Sequence, residues 1–254
     1  MRIRGGSKRE AIERLRALRE RTLSREATPF RRRAVTSSTH NEKRSARSGE
    51  GRASVLHRGP SAQQAEFSRY CKLANPLLSE IELGDQLPKV QDFVDLDRDA
   101  WNLDDLAPFV IDSLSSVSVR KAGGGVGGVG SPLAIVVVRS AVRALEVCRR
   151  LRALGSRWRV AKLFAKHKKI EEQIGFLQRH RCEIAVGTPA RMAELAGRGY
   201  LRFDELRLLA VDMDRDVKGM SVLDLFDTRR AFFELYGDFV CPLVKGGRVK
   251  VCMF

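Results

Sequence analysis

The sequence predicts an α/β fold built on a parallel sheet, and three observations lead to that prediction. Short apolar runs rich in branched residues alternate with segments of helical periodicity from Ser131 onward. The first run, residues 133–138, is wholly apolar, which is typical of a strand buried on both faces of a sheet. Strands and helices that alternate at this spacing favour a parallel sheet covered by helices on both faces.

The predicted elements follow one another in a regular order. Apolar runs predict strands at residues 133–138, 159–164, 183–186, 206–212 and 248–253. Apolar residues that recur every three to four positions predict helices at residues 142–154, 169–178, 189–196 and 222–236. Gly155 is placed to end the first of these helices, and Gly197 and Gly199 to end the third.

Charge divides the 254 residues into parts of opposite sign. Residues 1–60 hold seventeen Lys or Arg against six Asp or Glu, residues 61–115 hold four against eleven, and residues 116–254 hold 26 against 14. The formal net charge of +16 attracts polyanions and makes nucleic acid the first candidate partner. We therefore predict a disordered basic tail (1–60), an acidic helical extension (61–119), a glycine-rich loop (120–132) and one folded domain (133–254).

The basic tail has features that bear on localisation. Residues 11–23 form an amphipathic pattern that favours a helix folding on an RNA or protein partner. A mitochondrial transit peptide is the alternative, although such peptides avoid acids and this segment is flanked or interrupted by Glu10, Glu13 and Glu20. The run at residues 31–33 and the pair Lys43-Arg44 resemble nuclear-localisation or RNA-contacting clusters.

The acidic extension predicts two helices, at residues 61–73 and 104–117, that pack on the domain behind them. Asp104 and Asp105 suit the positive end of the second helix. The glycines of residues 123–130 precede Ser131-Pro132 and a strand, so they predict a flexible linker rather than a phosphate-binding loop.

Several kinds of chemistry find no support in the sequence. The five cysteines are far apart, show neither a CxxC pair nor a zinc-ligand spacing with the four histidines, and are interpreted as reduced, buried thiols. Asp212, Asp214 and Asp216 alternate as metal ligands do, but Arg215 and Lys218 beside them favour charge pairing. We expect no catalytic residue, no metal, no cofactor, no small-molecule substrate and no membrane-spanning segment.

The residues that follow the predicted strands are the candidate binding residues, because ligands of parallel α/β sheets are bound at the carboxyl ends of the strands. Three of the four strand ends are basic. Thr188 is placed to cap a helix, Pro189 fits its first position, and Arg191 projects from its first turn. Free backbone N–H groups, a hydroxyl and guanidinium groups suit RNA phosphates. The predicted RNA-binding residues are Arg139, Ser140, Arg143, Lys166, His167, Lys168, Gly187, Thr188, Pro189 and Arg191.

These strand ends carry a family resemblance. Residues 140–144 resemble motif Ia of the DEAD-box RNA helicases, and residues 187–191 resemble their TPGR motif Ib; both motifs bind RNA backbone in that family. Residues 162–168, Glu172-Gln173, residues 186–191 and Glu194-Leu195 together resemble the Cms-one family of small-ribosomal-subunit assembly proteins. The resemblance covers residues 61–254 in layout and is specific over residues 131–215. Ala190 departs from it, since the family usually has Gly there.

The resemblance implies a single, degenerate RecA-like domain that acts without catalysis. It implies an RNA-binding or scaffolding role in the 90S pre-ribosome during small-subunit assembly. The expected partners are pre-ribosomal RNA and assembly factors, and the expected place is the nucleus and nucleolus, with the mitochondrion as the alternative.

The features that an RNA helicase needs are missing from the sequence. No Gly-x-x-x-x-Gly-Lys-Ser/Thr loop joins a strand to a helix, and Met213 stands where a DEAD-box protein has the glutamate that positions the attacking water. About forty residues follow this point, too few for a second RecA-like domain. We therefore expect no ATP hydrolysis. Two alternatives stay open: an ATP-dependent helicase with atypical motifs, and a pure protein–protein adaptor.

Overall fold

The computed structural model describes residues 59–96, 103–116, 128–156, 158–166 and 168–254. The predictions for the tail, for most of the glycine-rich loop and for His167 lie outside these residues. Among the residues that are described, no helix has the length and apolar character needed to cross a bilayer.

Five parallel strands form the sheet, as the sequence predicts. The strands are β1 (Ala134–Val137), β2 (Val160–Leu163), β3 (Ile184–Gly187), β4 (Leu208–Val211) and β5 (Lys250–Met253). Their order across the sheet is β2-β3-β1-β4-β5, with Ala134 opposite Ile184 on one side and Leu208 on the other. β1, β3 and β4 are buried at every position, which explains why their sequences are apolar without alternation.

Helices cover both faces of the sheet. Before the sheet lie α1 (Pro60–Ala74), α2 (Glu80–Gln86) and α3 (Leu106–Ser116), with short 3-10 turns at Val90–Asp92 and Leu103–Asp105. Between and after the strands lie α4 (Ala141–Leu151), α5 (Ile170–Arg179), α6 (Pro189–Gly197), α7 (Phe226–Leu235) and α8 (Cys241–Lys245). A 3-10 turn at Arg152–Leu154 follows α4, and Gly155 ends it with φ of 79°, a left-handed conformation that glycine adopts without strain.

The sheet separates two hydrophobic cores. One contains side chains of α1, α5, α6 and α7 together with Ile135, Leu163 and Leu209 from the strands. The other contains side chains of α3 and α4 together with Val136, Ile184 and Ala210. Each strand thus sends alternate side chains to opposite cores, and this two-sided burial is what makes the fold a three-layer α/β arrangement.

The acidic extension belongs to these cores. Phe67 of α1 is fully buried and meets Phe93, Phe232, Phe233 and Tyr236 with ring centroids 5.0–6.0 Å apart. Gln63 donates from its side-chain amide to the carbonyl of Val94 and accepts from the backbone N–H of Met253, which fixes α1 beside β5. The α1 and α3 segments are therefore integral to the folded body.

Four elements differ from the sequence prediction, and one of them, α8, lies in a segment for which no helix was predicted. α2 was not predicted, although Ser79 and Glu82 form a capping box at its start. α7 starts four residues later than predicted, because Asp224 accepts from the N–H of Ser221 and holds the preceding residues in a turn. A π-helical turn, Tyr236–Val240, joins α7 to α8, since Pro242 has no N–H to continue the α-helical ladder.

The end of the glycine-rich loop is a packed turn. Gly128 and Ser131 exchange backbone hydrogen bonds, and the carbonyl of Gly130 accepts from the N–H of Arg202 at 2.7 Å. Gly130 has φ of 68°, and a Cβ there would lie 2.6 Å from the carbonyl oxygen of Tyr200. Only glycine fits, so this turn anchors the start of β1 against the loop that follows α6.

Candidate RNA-binding edge

The strand order brings the predicted binding residues to one edge of the sheet. Because β1 lies between β3 and β4, with β2 beyond β3, the residues after these four strands meet at their carboxyl ends. We call this the strand-end edge: residues 139–143, 165–168, 187–191 and 212–214. The sequence therefore identified residues that come together in space, although not how their side chains are used.

The side chain of Arg143 forms hydrogen bonds within the protein. Its guanidinium donates to both carboxylate oxygens of Asp212, at 2.7 and 3.1 Å, and to Glu146 at 3.0 Å. Asp212 is 1% exposed. Burial raises the pKa of Asp212, and the hydrogen bonds from Arg143 oppose that rise. Burial lowers the pKa of Arg143, but the hydrogen bonds to Asp212 and Glu146 outweigh it and hold that pKa above its ordinary value.

Arg139 is also engaged within the protein. It donates to the backbone carbonyl of Asp214 at 2.6 Å and to a carboxylate oxygen of Asp214 at 3.0 Å. Asp212 and Asp214 thus pair with arginines at the end of β1 and the start of α4. Asp216 accepts from the N–H groups of Lys218 and Met220, which lower its pKa and form a turn.

The two helix starts at this edge are built differently. Ser140 caps α4, because its hydroxyl accepts from the N–H of Arg143 at 3.2 Å. Thr188 occupies the cap position of α6 and Pro189 the first helical position, as predicted, but the Thr188 side chain makes no capping hydrogen bond. The hydroxyl of Thr188 and the first-turn N–H groups of α6 therefore have no intrahelical partner at this end.

Gly187 has a packing role that the sequence did not reveal. A Cβ at this position would lie 2.0 Å from the carbonyl oxygen of Leu163, far inside van der Waals contact. The same carbonyl accepts from the N–H of Thr188 at 3.1 Å. Gly187 is needed because β3 and β2 approach each other closely where both strands end.

Arg191 connects α6 to the edge strand β2 through Gln173. The guanidinium of Arg191 donates to the side-chain oxygen of Gln173 at 2.9 Å. The amide of Gln173 in turn donates to the carbonyls of Lys162 and Phe164, at 3.0 and 2.8 Å. Gln173 thus satisfies carbonyls on the open side of an edge strand, a role that sequence reasoning missed because it depends on the strand order.

The cations that face solvent at the strand-end edge are lysines. Lys166 is exposed and Lys168 is partly exposed, whereas Arg139, Arg143 and Arg191 are 13–16% exposed. No described side chain forms an ion pair with Lys166 or Lys168. Of the predicted RNA-binding residues within the described part of the chain, these two are the ones whose charges point outward.

The predictions on cysteine can be compared with the structure directly. All five cysteines are unpaired and buried. Burial raises the pKa of Cys71 and Cys148 to about 11 and that of Cys182 to about 12. Within the described ranges, no group of three or more His, Cys, Asp or Glu side chains is arranged to hold a metal ion.

Comparison with known proteins identifies the family of this chain. The sequence model of the CMS1 family, described as the U3-containing 90S pre-ribosomal complex subunit, matches residues 36–254. The chain belongs to this family. This membership agrees with the family resemblance seen in residues 131–215.

Relatives from distant eukaryotes share part of this sequence. Protein CMSS1 of Homo sapiens is 37% identical over 125 residues, which are 49% of this chain and 45% of the human protein. Protein CMS1 of Chaetomium thermophilum is 42% identical over 103 residues, 39% of this chain and 40% of the fungal protein. Protein CMSS1 of Xenopus laevis is 32% identical over 125 residues, 49% of this chain and 45% of the frog protein. The matched part spans less than half the length of each relative.

Proposed function

We propose that this CMS1-family protein is a non-catalytic RNA-binding scaffold of the 90S pre-ribosomal complex and acts in the nucleolus. The protein binds pre-ribosomal RNA through phosphate contacts at the strand-end edge, without reading base sequence there. The arrangement around Asp212 is the observation that carries the non-catalytic part of this proposal.

Asp212 directly follows β4, at the position where the helicase resemblance puts a metal-binding acid. Its two oxygens are occupied by the guanidinium of Arg143, and the next residue is the buried Met213 rather than a glutamate. Because the guanidinium already compensates the charge of this buried carboxylate and both of its oxygens accept hydrogen bonds, coordination of a magnesium ion is disfavoured. Met213 has no carboxylate with which to position an attacking water.

The RNA-binding part of the proposal is supported by the lysines and helix starts at the same edge. Lys166 and Lys168 present ammonium groups that pair with no carboxylate in the described part of the chain, and α6 begins beside them with a Thr188 side chain that makes no capping hydrogen bond. Ammonium groups and first-turn N–H groups both favour phosphate oxygens. The net charge of +16 adds long-range attraction that weakens with salt.

The experiment compares two double variants of the full chain. Lys166→Glu/Lys168→Glu reverses charge at the strand-end edge, and Lys72→Glu/Lys89→Glu makes the same change of net charge at exposed lysines of the 59–96 segment. Affinity for single-stranded RNA, measured by fluorescence anisotropy at physiological salt, is expected to fall at least ten-fold further in the first variant. Equal losses in both variants would contradict the proposal.

A protein–protein adaptor is the second candidate function. The arginines of the strand-end edge favour it, because the guanidinium groups of Arg139, Arg143 and Arg191 already donate hydrogen bonds within the protein. An adaptor would keep its RNA affinity in the Lys166→Glu/Lys168→Glu variant and would instead lose an assembly factor from the purified pre-ribosomal particle.

A further inference from the structure

A groove along the outer edge of the sheet lies apart from the strand-end edge. It has a volume of about 400 Å³ and lies between the end of α4 and the beginning of β2. Its lining consists of Cys148, Arg152, Gly155, Ser156, Trp158, Arg159, Val160 and Lys162. Because β2 runs from Val160 to Leu163, this groove lies at the amino end of the strand, opposite the end that leads to Lys166.

The charge of the groove is entirely positive. Arg152, Arg159 and Lys162 line it, and no acidic residue does. None of the three side chains forms an ion pair with a described carboxylate. The Arg159 guanidinium contacts a ring nitrogen of His180 at 3.3 Å, and the Arg159 backbone N–H donates to Glu183 at 2.7 Å. The positive charges of Lys162 and Arg152 also act on the Cys148 thiol at the groove, where they lower a pKa that burial raises. The cations therefore converge on one space and are available to an anion.

Trp158 gives the groove an aromatic wall. Its side chain is partly buried against the core that contains Leu151 and Val160, and it also lines the groove. The turn that carries it is fixed by Gly155, whose carbonyl accepts from the N–H of Trp158 at 3.2 Å. A held indole surrounded by cations is the combination that binds single-stranded nucleic acid, since a base stacks on the ring while phosphates meet the charges.

We propose that this groove binds one unpaired nucleotide of a single-stranded RNA, with its base stacked on Trp158 and its flanking phosphates on Arg152, Arg159 and Lys162. The proposal rests on the RNA-binding function proposed above and gives it a second contact. Lys162 also lines a neighbouring groove of about 340 Å³ that leads toward the strand-end edge and includes Lys168 and one acid, Glu172, so two of its three charged lining residues are cations. Single-stranded rather than duplex RNA is required, because the faces of bases in a duplex are covered by their stacked neighbours.

Tryptophan fluorescence of the full chain tests the stacking directly. The protein has two tryptophans, so Trp101→Phe leaves Trp158 as the sole emitter. Titration with a short single-stranded oligouridine is expected to quench this emission saturably, whereas inorganic polyphosphate, which has charge but no base, leaves it nearly unchanged. Equal quenching by both probes, or no quenching by RNA that binds, would overturn the proposal.

Substitutions separate the base contact from the phosphate contacts. Trp158→Ala is expected to weaken oligouridine binding roughly ten-fold, within the range that one base–aromatic stack provides, and Trp158→Phe to restore most of the loss. Arg152→Glu/Arg159→Glu changes two exposed residues and is expected to weaken binding at least ten-fold, against the Lys72→Glu/Lys89→Glu control. The charge variant keeps the test decisive if Trp158→Ala fails to fold.

The outcomes distinguish this proposal from the function on which it rests. If the wild-type chain binds RNA but none of these variants differs from its control, the groove is not a nucleotide site and the strand-end edge stands alone. Arg152 and its neighbours would then serve only the carboxyl end of α4, where cations stabilise a helix. If the wild-type chain does not bind RNA at all, the proposed function itself fails.

Discussion

Arg143 donates to both carboxylate oxygens of Asp212 and ties the first turn of α4 to the end of β4. The two residues are 69 positions apart in sequence, and the pair exists because β1 and β4 are neighbours in the sheet. It neutralises a carboxylate that is 1% exposed. An acid that resembles a metal ligand in sequence is thus an internal structural contact.

Removal of Arg143 is expected to destabilise the fold strongly. Arg143→Ala leaves Asp212 buried without its partner, and loss of one member of a buried pair costs about 3 kcal/mol of unfolding free energy. Urea denaturation followed by circular dichroism measures this change. The matched control is Arg149→Ala, an exposed arginine of the same helix, which is expected to cost at most about 0.5 kcal/mol. Similar costs for the two variants would show that the pair contributes little.

Gly187→Ala is expected to prevent correct packing of β3 against β2. A Cβ would lie 2.0 Å from the Leu163 carbonyl oxygen, and moving the edge strand β2 away from β3 costs on the order of 3 kcal/mol or more. Soluble yield and thermal denaturation report the effect. Gly84→Ala is the control, because a Cβ at that helical position meets nothing within 4 Å and is expected to stabilise by about 0.5 kcal/mol or more. A folded Gly187→Ala protein of wild-type stability would contradict the close approach.

Gln173→Ala is expected to leave two edge carbonyls without their donor. Buried or partly buried acceptors that lose a partner cost about 1–3 kcal/mol, and the open side of β2 also becomes available for strand pairing with other molecules. Chemical denaturation gives the stability change, and light scattering on mild heating gives the association. Gln178→Ala, on the exposed side of the same helix, should change neither quantity.

Arg191 is expected to contribute to stability through its hydrogen bond to Gln173. In a double-mutant cycle, Arg191→Ala and Gln173→Ala should couple by about 0.5 kcal/mol or more, because the guanidinium orients the amide that the edge strand uses. Additive stability changes would mean that Arg191 contributes independently of Gln173.

Tyr70 is expected to contribute a pH-dependent contact between α1 and the turn before α7. Its hydroxyl donates to Asp224 at 2.6 Å. Burial raises the pKa of Asp224, but hydrogen bonds from Tyr70 and Ser221 outweigh it and hold that pKa below its ordinary value. Tyr70→Phe should cost about 1 kcal/mol at neutral pH.

The sign of the pH effect follows from the depressed pKa of Asp224. The stabilisation is present above the ordinary carboxyl pKa of about 4 and is lost as the pH falls through the lower folded value. The difference in urea midpoint between wild type and Tyr70→Phe should therefore shrink below about pH 4. A difference that stays constant from pH 7 into that range would contradict the ionised contact.

The sequence predicts most of the sheet because its signals are local. Residues 133–138 and 206–212 are apolar runs bounded by polar residues, and they contain β1 and β4. Pro189 and Gly155 mark a helix start and a helix end by their own backbone restrictions. The Ser79-x-x-Glu82 capping box was also present in the sequence and would have indicated α2.

The side-chain roles at the strand-end edge depend on which strands are neighbours, and a single sequence does not give that order. Arg143 is predicted to meet RNA phosphate because it follows a strand. Its hydrogen bonds to Asp212, which follows a strand far away in sequence, are a second role that the sequence does not indicate. Gln173 was noticed only as part of a family pattern. Its donation to the carbonyls of β2 becomes visible once β2 is known to be the edge strand.

The central claim is RNA binding without nucleotide turnover, and one titration tests it most directly. Affinity of the pure full chain for single-stranded RNA is measured with and without magnesium and ATP, with phosphate release followed in the same samples. Saturable binding that ATP leaves unchanged, without phosphate release, is the predicted result. RNA affinity that depends on magnesium and ATP, accompanied by phosphate release, would contradict the account.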